Sequence, residues 1–129
     1  MPIRIVRLGT ERNLDEGPRI GTVRRPPRAV PKAQFARQNW YDVWYPNLAP
    51  SVGTMKLGQQ AKDGAAWALF AKRYRKEMQQ ADAARTIELL ALLSHHTNFS
   101  VGCYCQDESR CHRSILRTLL KERGASLIP

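Results

Sequence analysis

All three cysteines of the chain fall within nine residues, as Cys103-Tyr104-Cys105, five further residues, then Cys111-His112. Thiols and imidazoles so grouped are the usual raw material of nucleophilic catalysis, redox chemistry or soft-metal binding. On a strand, Cys103 and Cys105 share one face because side chains alternate with period two. Cys111 then falls at the start of the following helix. There the unpaired N–H groups and the helix dipole favour a thiolate, helped by Arg110, Arg113 and a protonated His112. The same geometry cradles a phosphate or carboxylate.

Three readings of this loop stay open. Cys103 is a small buried apolar side chain and the other cysteines are incidental; or Cys103, Cys105, Cys111 and His112 hold zinc, which requires the adjacent Cys111 and His112 to turn to one ion; or the loop binds an anion beside a reactive thiol. The Cys-x5-Arg spacing of phosphatases is not met, since Ser109 and Cys111 stand six residues after Cys103 and Cys105. An odd, clustered number of cysteines fits reduced thiols better than a secreted disulfide framework.

The elements that position this loop are legible in the periodicity. Ile3 to Leu8 reads as a strand stopped by Gly9-Thr10, and Ile20 to Val23 as another, stopped by Arg24-Arg25-Pro26-Pro27. Pro26 to Pro50 holds five prolines and the aromatics Phe35, Trp40, Tyr41, Trp44 and Tyr45, which predicts an irregular segment packed on the domain. Trp67, Phe70, Ala71, Tyr74 and Met78 recur at helical spacing behind an Asp63 cap. A second helix, capped by Asp82, buries Ala84, Ile87, Leu90, Ala91 and Leu93. Phe99 to Cys105 reads as a strand, Gln106 to Arg110 as a turn, and His112 to Arg123 as a helix closed by Gly124. The expectation is one small α/β domain over residues 1–129, with a mostly parallel sheet of three or four strands flanked by helices. Ligands of such sheets collect beyond the carboxyl ends of the strands, so the loops after Leu8, Val23 and Cys105 should meet.

The 129 residues are 43% hydrophobic and 25% charged, an ordinary globular composition. No apolar run is long enough for a membrane helix, and the first residues show no signal-peptide core, so a cytoplasmic protein without membrane partners is expected. Lys and Arg number 21 against 11 Asp and Glu, a formal net charge of +10. Such an excess favours phosphate, nucleotide or nucleic-acid partners. Between Glu16 and Asp42, Arg19, Arg24, Arg25, Arg28, Lys32 and Arg37 occur with no acid among them. That stretch is either an anion-facing surface or a solvated face.

The run Val101-Gly-Cys-Tyr-Cys-Gln-Asp-Glu-Ser-Arg-Cys-His-Arg-Ser-Ile-Leu-Arg117, with Tyr41-Asp-Val-Trp-Tyr-Pro-Asn-Leu-Ala-Pro-Ser51 and Gly21-Thr-Val-Arg-Arg-Pro26, resembles the cysteine-bearing branch of the bacterial family called domain of unknown function 488. The resemblance covers nearly the whole chain and implies a compact cytoplasmic α/β domain without an established activity. Other members share the layout without the cysteines, which implies that no structural metal builds the fold. Carried over position by position, it singles out Arg24 or Arg25, Tyr41, Asp42, Trp44, Pro46, Cys103, Cys105, Cys111, His112 and Arg113.

Together these readings give a small-anion or nucleotide-type site at the carboxyl edge of the sheet. Arg24, Arg25, Arg113, Ser109 and Arg110 bind the anion, and Tyr41, Asp42, Trp44 and Cys103 line the pocket. Cys111 or Cys105 is the candidate nucleophile with His112 as acid–base partner, and no cofactor is required. The alternative is a basic nucleic-acid-binding accessory protein that stacks Trp40 or Trp44 on bases.

Overall fold

The computed structural model describes residues 2–129. Four short strands, β1 (Ile3–Arg7), β2 (Arg19–Gly21), β3 (Val43–Trp44) and β4 (Phe99–Cys103), pair entirely in parallel in the order β1-β4-β2-β3. The last strand in sequence runs through the middle of the sheet and is buried at every position, as a parallel strand covered on both faces must be. Residues beyond α4 return to the outer edge of β1. Ile3 N donates to Ser126 O and Ile128 N to Ile3 O, at 2.8 and 2.9 Å, which blunts an otherwise open edge.

Helices α1 (Val52–Gln60), α2 (Gly64–Glu77), α3 (Ala81–Leu93) and α4 (His112–Glu122) complete the α/β domain. The stripe of α2 is as its spacing predicts, with Phe70 and Tyr74 buried and Asp63 accepting from Ala66 N at 2.8 Å. Gln80 stands at the start of α3 without a side-chain cap, and Asp82 falls in the first turn. Its charge still suits the positive end of the helix dipole. In α4, Ile115, Leu116 and Leu120 are buried, and Gly124 follows with φ +81°, a conformation that favours glycine. Ile3, Phe99 and Val101 pack against these helices to form the main core. Pro26 to Pro50 is irregular and ordered, with 3-10 turns at Lys32–Gln34 and Pro46–Leu48 around β3.

One element is absent from the sequence reading. Ser51 caps α1 by accepting from Thr54 N, and Glu77 at the end of α2 accepts from Ser51 N, Ser51 Oγ and Thr54 Oγ1 at 2.9, 2.7 and 2.6 Å. A carboxylate distant in sequence thus fixes where α1 begins.

On β4, Ser100 donates to Glu16 Oε2 at 2.7 Å. Glu16 is also gripped by Arg19, at 2.7 and 3.0 Å, and Arg19 reaches the carbonyls of Thr10 and Asn39 at 2.9 and 2.7 Å. Both side chains are buried. Arg19 is therefore an internal clamp, and the anion-facing surface expected from Arg19 onward loses its first member. Among the described residues, no helix is long and apolar enough to cross a membrane.

Candidate functional site

Beyond the carboxyl ends of the strands the chain stays registered for one more step. Leu8 N donates to Cys103 O at 2.8 Å and Thr22 N to Gly102 O at 2.9 Å. A cleft of about 500 Å³ opens there, floored by Cys103, Cys111 and His112. Arg25 and Tyr104 stand on one side and Met55, Gly58 and Phe70 of α1 and α2 on the other. Tyr104 donates to Arg25 O at 2.8 Å and packs edge-on against Trp40 with centroids 5.8 Å apart. It separates this cleft from a second depression, which Leu8, Gly9 and Trp40 line. The loops after Val23 and Cys105 share one cleft, whereas the loop after Leu8, expected to join them, borders the other depression.

The floor is a tight cluster. Cys111 is the extended N-cap of α4 and His112 its first residue, and at this junction both side chains turn to one point. Cys111 Sγ lies 3.7 Å from His112 Nδ1, the sulfurs of Cys103 and Cys111 are paired at disulfide-bonding distance where the sequence reading expected reduced thiols, and the three donor atoms lie within 4.8 Å of one another. His112 Nε2 sits 2.8 Å from Thr22 O and 3.3 Å from Thr22 Oγ1, whose own proton goes to Gly102 O. A carbonyl only accepts, so Nε2 carries the proton and Nδ1 turns its lone pair to the sulfurs. Burial pushes the imidazole down to about 4, against the bond to Thr22 and with the help of Arg113. At neutral pH His112 is uncharged, so it is not the imidazolium that the sequence reading used to favour a thiolate.

Cys105 lies outside this cluster. The strand ends at Cys103, two residues earlier than its composition suggests, so Cys103 is buried and Cys105 is exposed. Packing around the Cys105 sulfur pushes its thiol up, against the pull of Arg113 and Arg7. The four-donor set Cys103, Cys105, Cys111 and His112 is therefore three donors here.

The arginines divide in the same way. Arg24 donates to the carbonyls of Pro50, Pro46 and Ala49 at 3.1, 3.2 and 3.1 Å, clasping the segment that leads into α1. Arg113 is buried and donates to Cys105 O at 2.6 Å, while its Nε has no partner. Ser109 bonds Asp107 through both its N and its Oγ. Arg25 and Arg110 line the cleft and, among the described residues, pair with no carboxylate. The first turn of α4 has no side-chain cap, which leaves N–H donors at the cleft floor.

Tyr41, Asp42 and Trp44 lie outside the cleft. Tyr41 is buried, with its ring against Gly21 and its hydroxyl unpartnered. Asp42 accepts from Arg19 N at 2.7 Å and from Arg12 at 2.8 and 3.3 Å. Trp44 donates to Val23 O at 2.7 Å. These side chains hold the β2 and β3 ends in place. Met55 and Gly58, which sequence reasoning missed, were hidden because α1 itself was; Phe70 showed only its core role.

No curated protein and no solved structure matches the chain. A family model described as the active DUF488-N3 subclade, DUF488-N3a, matches residues 3–124, a span that takes in every strand, every helix and the whole cleft, and the chain belongs to that family.

Proposed function

We propose that the cleft binds a small phosphorylated ligand with an apolar or aromatic body, of the nucleotide type. The observation that carries this reading is the pair of guanidinium groups, Arg25 and Arg110, without carboxylate partners beside a cavity of about 500 Å³. That volume suits a small-molecule ligand. Met55 and Phe70 offer an apolar surface for a base or comparable ring, while the uncapped first turn of α4 offers N–H donors to an anion. Covalent chemistry is a weaker part of the reading, because the exposed thiol, Cys105, is held in its protonated form and the buried Cys111 has a neutral histidine beside it.

Calorimetric titration tests the proposal with a nucleoside monophosphate, the matching nucleoside and inorganic phosphate. The monophosphate should bind saturably and more tightly than either fragment. Arg25→Ala and Arg110→Ala should each weaken it by about tenfold or more, the worth of a charge-assisted hydrogen bond. No saturable binding, or losses equal to those seen with an oligonucleotide, would overturn it in favour of a diffuse basic surface. That alternative retains only Arg25, Arg28, Lys32 and Arg37 as exposed members of the basic stretch.

A further inference from the structure

We propose that Cys103, Cys111 and His112 form a zinc site with three protein donors and an open fourth position at the cleft. The site stands on the cluster itself and holds whether or not Arg25 and Arg110 bind a phosphate.

Three separate features carry it. The first is convergence. Two Zn–S bonds and one Zn–N bond in tetrahedral array place a sulfur and a nitrogen roughly 3.6 Å apart, and Cys111 Sγ and His112 Nδ1 lie 3.7 Å apart. The adjacency of these residues, which made joint ligation doubtful from sequence, is resolved by the turn from extended N-cap into helix.

The second is orientation. Metal-binding histidines usually give their other N–H to a carbonyl or carboxylate, which fixes the tautomer and aims the lone pair. Thr22 O does this for His112, with Nδ1 left facing the sulfurs. In a site that served packing alone, nothing would require that nitrogen to face the two sulfurs.

The third is backbone spacing. The Cα atoms of Cys103 and Cys111 are 8.0 Å apart, beyond the range of about 4.4–6.8 Å usual for disulfides. Backbones that far apart leave room for an ion between the two sulfurs, which zinc would hold roughly 3.8 Å apart.

Soft thiolates with an imidazole select zinc over magnesium or calcium. Both thiols give their protons to solvent on binding. Among the described residues no fourth His, Cys, Asp or Glu joins the group. All three residues line the cleft and no fourth protein donor among the described residues closes the set, so the remaining position is left to a water or ligand, the arrangement of sites that keep a water or substrate on the metal.

The full chain, reduced and stripped of metal with a chelator, is titrated with cobalt(II) and then zinc. One equivalent of cobalt should give thiolate charge-transfer and tetrahedral d–d absorption, and zinc should displace it. Cys103→Ser and Cys111→Ser should lose the one-equivalent signal, whereas Cys105→Ser should keep it. If either variant fails to fold, peptide-mapped alkylation of the wild-type chain decides instead. Zinc should slow the reaction of Cys103 and Cys111 at least tenfold and leave Cys105 unchanged. Absence of a cobalt signal in folded reduced protein, an undiminished signal in Cys103→Ser, zinc-independent alkylation, or a Cys103–Cys111 disulfide that persists under reductant would each overturn the proposal.

Discussion

Replacing Arg19 by methionine should do more than lower stability; it should weaken the coupling of one carboxylate to pH. Burial alone would raise the pKa of Glu16. The hydrogen bonds from Arg19 and Ser100, the Arg19 charge and the backbone of Asn13 together outweigh burial and bring it down from 4.5 to about 2. A group with a depressed folded-state pKa contributes stability above its unfolded pKa, and that contribution is lost as pH falls through the folded value. Converted at 1.36 kcal/mol per pH unit, it is about 3 kcal/mol at neutral pH. The contact geometry gives a similar figure. Arg19→Met removes two bonds to Glu16 and leaves Thr10 O without its Arg19 donor, while Asn39 O keeps the bond from Gly9 N, and breaking a buried pair from one side costs about 3–5 kcal/mol.

In the variant only burial and the neutral donors act on Glu16, so its folded pKa should rise from about 2 towards its unfolded value, and most of its contribution to stability is lost. Urea unfolding of both proteins from about pH 7 down to about pH 3 should therefore show a gap of about 3–5 kcal/mol that closes towards acid. Other carboxylates, such as Glu77, whose pKa is also depressed, cancel in the difference. A gap below about 1 kcal/mol, or one that does not change with pH, would refute the internal clamp.

Phe70→Ala should cost about 3–5 kcal/mol in chemical denaturation, and Trp67→Ala less, because Phe70 is buried and Trp67 only half-buried; the reverse order would mean that the α2 face is rotated from its assigned position. Arg113→Ala, which the sequence alone would class as a ligand-binding change with little structural cost, should lose about 1.5–3 kcal/mol, since a buried guanidinium holds the Cys105 carbonyl, and an unchanged melting temperature would contradict this. In native, reduced and metal-free protein a maleimide should label Cys105 first, with Cys103 and Cys111 following more slowly, because both are buried; intact mass and peptide mapping check it, and labelling of Cys111 as fast as Cys105 would place its sulfur at the surface.

The fold was legible wherever a segment carries its own pattern. The stripe of α2, the strand before the cysteine loop and the apolar face of α4 are local signals, and tertiary packing reinforced each of them. By contrast, α1 owes its start to Glu77 and includes Gly53 and Gly58, which depress helix propensity. At Gly58 the lack of a side chain matters, because a Cβ would come within 2.8 Å of the Phe70 ring. Sequence periodicity cannot show a helix whose glycine is chosen by the neighbour it packs on. The same holds for Glu16 and Arg19. Three residues apart, they look like ordinary surface charges until Ser100 and two distant carbonyls close around them.

Of the residues singled out from sequence, the structure gathers Cys103, Cys111, His112, Arg25 and Arg110 at one cleft and leaves Tyr41, Asp42 and Trp44 outside it. Helix-terminus reasoning assigned Cys111 an activating field, and the N-terminus of α4 is where it was expected. What it could not supply is burial: the same packing that brings Cys111 to the dipole excludes the water that would stabilise a thiolate and an imidazolium side by side. A neutral imidazole with an aimed lone pair is a poor partner for an ion-pair nucleophile and a good ligand. Arg24 and Arg113 changed role for a related reason. Arg24 binds the carbonyls of Pro46, Ala49 and Pro50, and Arg113 that of Cys105, so both guanidinium groups are engaged before any ligand arrives. The arginines left for an anion are then Arg25 and Arg110, which among the described residues pair with no carboxylate and line the cleft.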